Sequence, residues 1–118
     1  MKLSTLESVV NNYWFLASIR TSSEVSVIID DQFRYIAVSS GICKLLNKER
    51  SQLEGKIMTE LYPEIVNFKN YENLKRALQG EEFVDTVPAI TGDMFEIEYR
   101  PIRHNGKILG VHTLCKAV

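Results

Sequence analysis

Two cysteines and two histidines are the side chains of this sequence best suited to metal or redox chemistry. Cys43 and Cys115 lie far apart and form no C-x-x-C motif, the spacing that zinc sites and redox-active pairs use. His104 precedes an Asn-Gly turn, and His112 lies alone in an apolar run. The sequence therefore predicts no metal site, no disulfide framework and two buried free thiols.

Carboxylates near a second titratable group would be needed for acid–base chemistry. Asp30 or Asp85 together with Tyr99 would suit a small isomerase, but most acidic residues fall in predicted turns or on outward strand faces. The sequence contains no G-x-S-x-G, H-E-x-x-H or phosphate-binding glycine motif, the patterns of nucleophilic, zinc-dependent and phosphate chemistry. We expect a protein that is not an enzyme.

The composition indicates one globular domain. Of the 118 residues, 45% are hydrophobic and 25% charged, the balance of an ordinary soluble protein. A net charge of -1 gives no broad field that would attract nucleic acid or an anionic membrane. Without a long apolar run or a secretory signal at its start, the chain is predicted to be cytoplasmic, with no membrane or nucleic-acid partner.

Apolar residues recur at spacings of three and four across residues 3–19, which predicts an amphipathic helix. Ser4 and Glu7 would form its capping box. We expect residues 1–23 to form this helix and residues 24–118 to form the domain proper. Because the stripe is wider than one packing face needs, we expect a homodimer through it, although burial against the domain's own sheet is the alternative. The predicted dimer residues are Leu6, Val9, Val10, Tyr13, Trp14 and Ala17.

The remaining chain predicts strands at both ends with short helices between them. A β-rich hairpin would turn at residues 30–32, and Ser39 and Ser40 would cap a helix that Asn47 closes. Short helical turns at residues 51–55 and 58–62 would precede a longer helix at residues 64–79. Three strands at residues 81–90, 94–104 and 107–117 follow, joined by tight turns. This order is that of an α+β fold.

The order and several motifs resemble the PAS sensor family. Residues 39–56, SSGICKLLNKERSQLEGK, are similar to the family's NPAAxxLLGYSREELIGK. Residues 61–64, LYPE, are similar to its LFPE, and the stretches at residues 77–81 and 101–106 (its PIxDxxG) also match. The resemblance implies a PAS-like five-stranded antiparallel sheet with flanking short helices, whose concave face closes over a ligand pocket.

The resemblance also implies which residues line that pocket. Strand alternation places Phe95, Ile97 and Tyr99 on one apolar face. Alternation leaves the last strand's orientation open, but Gly110-Val111-His112 is similar to the Gly-Val-Gln of the light-oxygen-voltage branch, which implies that His112 points inward. A core histidine without a ligand is the alternative. The expected pocket residues are Tyr35, Leu45, Met58, Phe95, Ile97, Tyr99, Gly110 and His112.

The same resemblance disfavours the two familiar cofactors. Met58 stands where the light-oxygen-voltage branch has its photoreactive cysteine, and Phe95 stands where it has a flavin-binding asparagine. Haem-binding members commonly take a histidine from the long helix, but residues 64–79 contain none. A haem held by His112 remains an alternative, and the cofactor is otherwise left open, including none.

We therefore predict a sensory or regulatory PAS module of a bacterial-type signalling protein, such as a sensor kinase of a two-component system or a cyclic-dinucleotide enzyme. It would bind a small ligand in an apolar pocket, dimerise, or both, and would act on an effector domain or partner protein. A ligand-free dimerisation module is the alternative. Residues 114–116 depart from the family's Asp-Ile-Thr ending, which favours the N-terminal helix as the output surface.

Overall fold

The computed structural model describes residues 19–118. The predicted helix at residues 3–19, its capping box and all six predicted dimer residues thus lie outside the described residues, except for Ile19. Residues 19–21 are helical. The division between residues 23 and 24 stays a prediction.

Five antiparallel strands form one sheet, as expected. The strands are β1 (Val25–Asp30), β2 (Tyr35–Val38), β3 (Phe83–Pro88), β4 (Met94–His104) and β5 (Lys107–Ala117). Their order across the sheet is β2-β1-β5-β4-β3, so the first hairpin and the C-terminal meander meet where β1 pairs with β5. This arrangement confirms the α+β prediction.

Short helices fill the chain between the two groups of strands. They are α1 (Ser40–Leu46), α2 (Met58–Leu61) and α3 (Lys69–Leu78), with 3-10 helices at Arg50–Gln52 and Pro63–Asn67. None of the helices in residues 19–118 has the length and apolar character needed to cross a membrane.

The boundaries of α1 follow from its caps, as predicted. Oγ of Ser39 accepts a hydrogen bond from the backbone N–H of Ile42 at 3.1 Å, which satisfies a donor that the first helical turn leaves unpaired. Asn47 ends the helix in the left-handed conformation, with φ of 53°, which asparagine adopts more readily than most residues.

The first turn is longer than predicted. Oδ1 of Asp30 accepts hydrogen bonds from the backbone N–H groups of Gln32 at 2.8 Å and Arg34 at 2.9 Å. Phe33 adopts a φ of 61°, so the chain does not become extended until Tyr35. Phe33 is aromatic, a residue type that is common in strands. The sequence pattern therefore predicted that the second strand would begin before Tyr35.

The single helix predicted at residues 64–79 is wrong. A 3-10 helix ends at Asn67, Phe68 is extended with φ of -98° and ψ of 146°, and α3 begins at Lys69. Ile65, Phe68 and Tyr71 keep a spacing of three across the break, a spacing that both helix types accept. The pattern of apolar residues therefore could not reveal the interruption.

The inner face of the sheet is covered by the helices, whereas the outer face is covered mainly at β1 and β2. The larger apolar cluster lies between the inner face and the helices, and it includes Ile29, Leu53, Leu74, Tyr99 and Val111. A second cluster on the outer face contains Ile19, Ile28, Ile36 and Ala37, with Ile102 and Leu109 packed against it. The register of β4 and β5 skips Leu109, so this bulge residue turns toward the outer cluster.

Candidate functional site

An apolar cavity of about 80 Å³ lies between the inner face of the sheet and the three helices. Of the eight predicted pocket residues, five line it: Tyr35, Leu45, Met58, Phe95 and Ile97. Burial raises the pKa of Tyr35, with the neighbouring Tyr62 adding to the effect. Its phenol therefore stays protonated at neutral pH.

His112 does not point into this cavity, which corrects the expected orientation. It lies opposite Ile28 of β1 and Arg100 of β4 on the outer face, and its Nε2 is 2.9 Å from Oγ of Ser26. The inner face of β5 carries Val111, which is fully buried, so burial of the valine turns the histidine outward.

Gly110 and Tyr99 also lie outside the cavity lining. Gly110 pairs with Asp30 and Ile102 in the sheet. Tyr99 faces inward as expected, but its ring is fully buried and stacks on Phe83 with 4.9 Å between the ring centroids. It contacts the lining through its hydroxyl, which is hydrogen-bonded to Asn70.

Four polar or polarisable residues of the lining were missed by the sequence analysis: Tyr62, Asn70, Thr113 and Cys115. Burial raises the pKa of the Cys115 thiol to about 12, against a weaker effect of its hydrogen bond with Thr113. The thiol is therefore neutral and unreactive at physiological pH. Strand alternation puts Thr113 and Cys115 on the face of β5 opposite His112, so the inward orientation expected for His112 excluded both from the predicted pocket.

A polar network extends from the cavity into the packing between α3 and the β3–β4 edge. The fully buried Asn73 donates from Nδ2 to Oδ2 of Asp85 at 2.8 Å and, at a longer 3.4 Å, to the Tyr99 hydroxyl. The Tyr99 hydroxyl donates to Oδ1 of Asn70 at 2.6 Å. Arg76 stacks over Phe83 and pairs with Glu81 at the surface end.

This network does not provide an isomerase site. The structure brings Asp85 close to Tyr99 through Asn73, but Asp85 does not line the cavity and so has no access to a molecule bound there. Burial, the largest effect, raises the pKa of Tyr99. Asp30, the other carboxylate considered, caps the first turn instead.

The lining residues do not fit haem or flavin. Both histidines of the chain lie elsewhere, with His104 exposed at the end of β4 and His112 on the outer face, which removes the expected alternative of a haem held by His112. The cavity volume is also far below the roughly 300 Å³ at which drug-sized ligand sites begin.

A cluster of hydrogen bonds joins the segment before β1 to α1 and its surroundings. Glu54 accepts two hydrogen bonds from the Arg20 guanidinium, at 2.9 and 3.0 Å, and a third from the backbone N–H of Val38. The backbone N–H of Gly41 donates to the carbonyl of Ser22. A Cβ at Gly41 would lie 2.3 Å from the carbonyl oxygen of Glu24, so the two backbones are in direct contact.

A five-stranded antiparallel sheet closed over short helices around an apolar cavity defines a small α+β class of domain. A family model described as PAS fold matches residues 20–118. The chain therefore belongs to the PAS family, whose domains are sensory modules of signalling proteins rather than catalytic domains. This family assignment confirms the resemblance seen in the sequence.

Solved structures share this fold at low sequence identity. The sensory box sensor histidine kinase from Vibrio cholerae superposes with a TM-score of 0.69, 16% identity and 98% of each chain covered. A domain of HTR-like protein from Haloarcula marismortui gives 0.66 and 17%, covering 82% of this chain and 99% of that one. The PAS domain of nitrogen regulation protein NR(II) from Vibrio parahaemolyticus gives 0.63 and 13%, covering 87% and 96%. Comparison with curated sequences gives no match.

Proposed function

We propose that this PAS domain is the cytoplasmic sensory input of a sensor kinase or a cyclic-dinucleotide enzyme, and that it binds a small, mostly apolar ligand in the inner cavity. Two structural neighbours, the Vibrio cholerae protein and a PAS domain from a two-component sensor, carry histidine kinase names, which supports the kinase as effector. The ligand would pack against the lining from β1, β4, β5 and the helices.

The position of α1 carries this proposal. On one side, α1 lines the cavity with Ile42, Leu45 and Leu46. On the other side, its N-terminal end is bonded to the segment before β1 through Gly41 and Ser22. A ligand that changes the packing of α1 would therefore change the position of residues 20–24, and the N-terminal segment would transmit the signal.

A thermal-shift screen of small neutral metabolites tests ligand binding. A molecule that binds the native state raises the melting temperature in a concentration-dependent way. Ala89 lines the cavity, so Ala89→Leu should fill part of it and abolish the shift. Val84, which is 55% exposed on β3, provides the control Val84→Leu, which should respond as the unmodified chain does. If no molecule shifts the melting temperature, or if Ala89→Leu leaves the shifts intact, ligand binding in this cavity is wrong.

The small volume of the cavity favours a second candidate function, a dimerisation module that binds no ligand. In that case the homodimer would form through the helix predicted at residues 3–19. Light scattering on the full chain should give a dimer mass that Val10→Glu reduces to a monomer mass, whereas Val84→Glu should leave it unchanged. A monomer mass for the unmodified chain, or a dimer that survives Val10→Glu, would rule out this interface.

A further inference from the structure

The amide orientations in the buried network follow from the carboxylate at its far end. Asp85 only accepts hydrogen bonds as a carboxylate, so Asn73 must present its Nδ2 group to it at 2.8 Å. The same Nδ2 group is the one that reaches the Tyr99 hydroxyl at 3.4 Å. The Tyr99 oxygen therefore acts as an acceptor toward Asn73.

Tyr99 then fixes the amide of Asn70. A phenol has a single proton, and burial keeps the pKa of Tyr99 raised, so the hydroxyl remains protonated. Since Asn73 offers a donor, the Tyr99 proton points to Asn70, 2.6 Å away. Asn70 must consequently place Oδ1 toward Tyr99, and its Nδ2 group is left to face elsewhere.

Asn70 lines the cavity, and its Nδ2 donates no hydrogen bond within residues 19–118. We propose that the cavity selects a neutral, mostly apolar small molecule with one hydrogen-bond acceptor, such as a carbonyl oxygen, and that Nδ2 of Asn70 donates to that acceptor. This inference rests on the proposed ligand-binding function. Asn70 is the binding residue, whereas Tyr99 and Asn73 are positioning residues.

Charge and size narrow the ligand class further. No Lys, Arg, Asp or Glu lines the cavity, so an ionised ligand would lose its hydration without gaining a partner charge. The volume of about 80 Å³ is about half that of an engineered apolar cavity that holds benzene. A probe with about five atoms other than hydrogen is therefore near the upper limit.

Butanone and 2-methyl-1-butene form a matched probe pair, because the second replaces the carbonyl oxygen with a methylene group of similar shape. Each is titrated into the ¹⁵N-labelled full chain at pH 8, and the dissociation constants are taken from the amide shifts of cavity residues. The chain is compared with Asn70→Asp, which keeps an acceptor for Tyr99 but removes the donor, and with Tyr99→Phe. Asn67→Asp is the control, since Asn67 lies exposed three residues earlier, at the end of the preceding 3-10 helix.

Asn70→Asp should weaken butanone binding about five-fold and leave 2-methyl-1-butene within about two-fold, the effect of one net hydrogen bond. Tyr99→Phe should weaken butanone about two-fold, because the amide of Asn70 loses its preferred orientation. Asn67→Asp should change neither constant. In the unmodified chain, butanone should shift the side-chain amide signal of Asn70, whereas 2-methyl-1-butene should not. This readout does not depend on the variants folding.

Two outcomes would overturn the inference in different ways. In the first, both probes bind, Asn70→Asp weakens the binding of both equally, and butanone does not shift the Asn70 amide signal. The cavity then binds ligands without this donor, and only the inference is wrong. If neither probe binds the unmodified chain, the inference fails together with ligand binding in this cavity.

Discussion

The two faces of β1 show how differently the two sides of the sheet are used. Ile28 and Ile29 are neighbours in sequence, point to opposite faces, and are both fully buried. Ile29 belongs to the inner cluster, which surrounds the cavity. Ile28 belongs to the outer cluster, which includes Ile19 from the N-terminal segment. The central strands thus separate the cavity from the N-terminal segment.

The polar groups buried on the two faces differ in where their hydrogen bonds end. On the inner face, the network from Asp85 ends at Asn70, a residue of the cavity lining. On the outer face, the Ser26 hydroxyl donates to the carbonyl of Thr113 at 2.9 Å, so Nε2 of His112 must donate to Ser26. In the binding site proposed above, the inner network offers a group to a ligand, whereas the outer bonds join β1 to β5.

The largest expected effect comes from replacing the two isoleucines separately. Ile28→Ala and Ile29→Ala should each lower the free energy of unfolding by about 3 kcal/mol, because each removes a fully buried side chain and leaves a cavity. Urea unfolding of the full chain measures both values. If Ile28→Ala cost less than about 1 kcal/mol, the outer face would be a loosely covered surface rather than a second core.

The second test concerns the contact between α1 and the segment before β1. Gly41→Ala should lower the free energy of unfolding by about 2 kcal/mol, because its Cβ would collide with the backbone at Glu24 and neither backbone can move freely. Gly92→Ala is the comparison, since Gly92 has a φ of 91° but nothing within 4 Å of an added Cβ. It should cost about 1 kcal/mol, from backbone strain alone. A smaller loss for Gly41→Ala than for Gly92→Ala would show that this contact is not tight.

Local chemistry made most of the fold predictable. Ser39 and Asn47 marked the ends of α1 because capping depends on the residue at one position. Asn105 and Gly106, with φ of 50° and 77°, marked the β4–β5 turn because few residues adopt two successive left-handed conformations. The conformations at Phe33 and Phe68 were predicted wrongly, because phenylalanine does not signal the conformation that its surroundings impose at either position.

The candidate site was less predictable because its polar residues depend on contacts distant in sequence. Strand alternation grouped Thr113 with Cys115 correctly, but the choice between the two faces of β5 came from a family motif in which another residue occupies the position of His112. Asn70 breaks no apolar pattern on α3. Its role emerges only when Tyr99 and Asp85, from β4 and β3, are placed beside it.

The smallest expected effect is a pH dependence specific to the outer face. Burial, followed by the charge of Arg100, lowers the pKa of His112 below its ordinary 6.5, against a weaker opposing effect of Glu98. The unfolded chain therefore binds a proton at a higher pH than the folded chain does. As the pH falls below 6.5 toward the lowered pKa, protonation favours the unfolded state and the free energy of unfolding decreases.

Replacing His112 should remove this contribution while leaving the inner face unchanged. His112→Gln keeps a donor for Ser26, so the protein should fold, but its free energy of unfolding should fall less steeply between pH 7.5 and 5.5 than that of the unmodified chain. Urea unfolding at several pH values measures the two slopes, and His104→Gln, at an exposed position, should behave as the unmodified chain does. An unchanged slope in His112→Gln would mean that the outer face tolerates a protonated His112. The side chain of His112 would then be less buried than its contacts with β1 and β4 suggest.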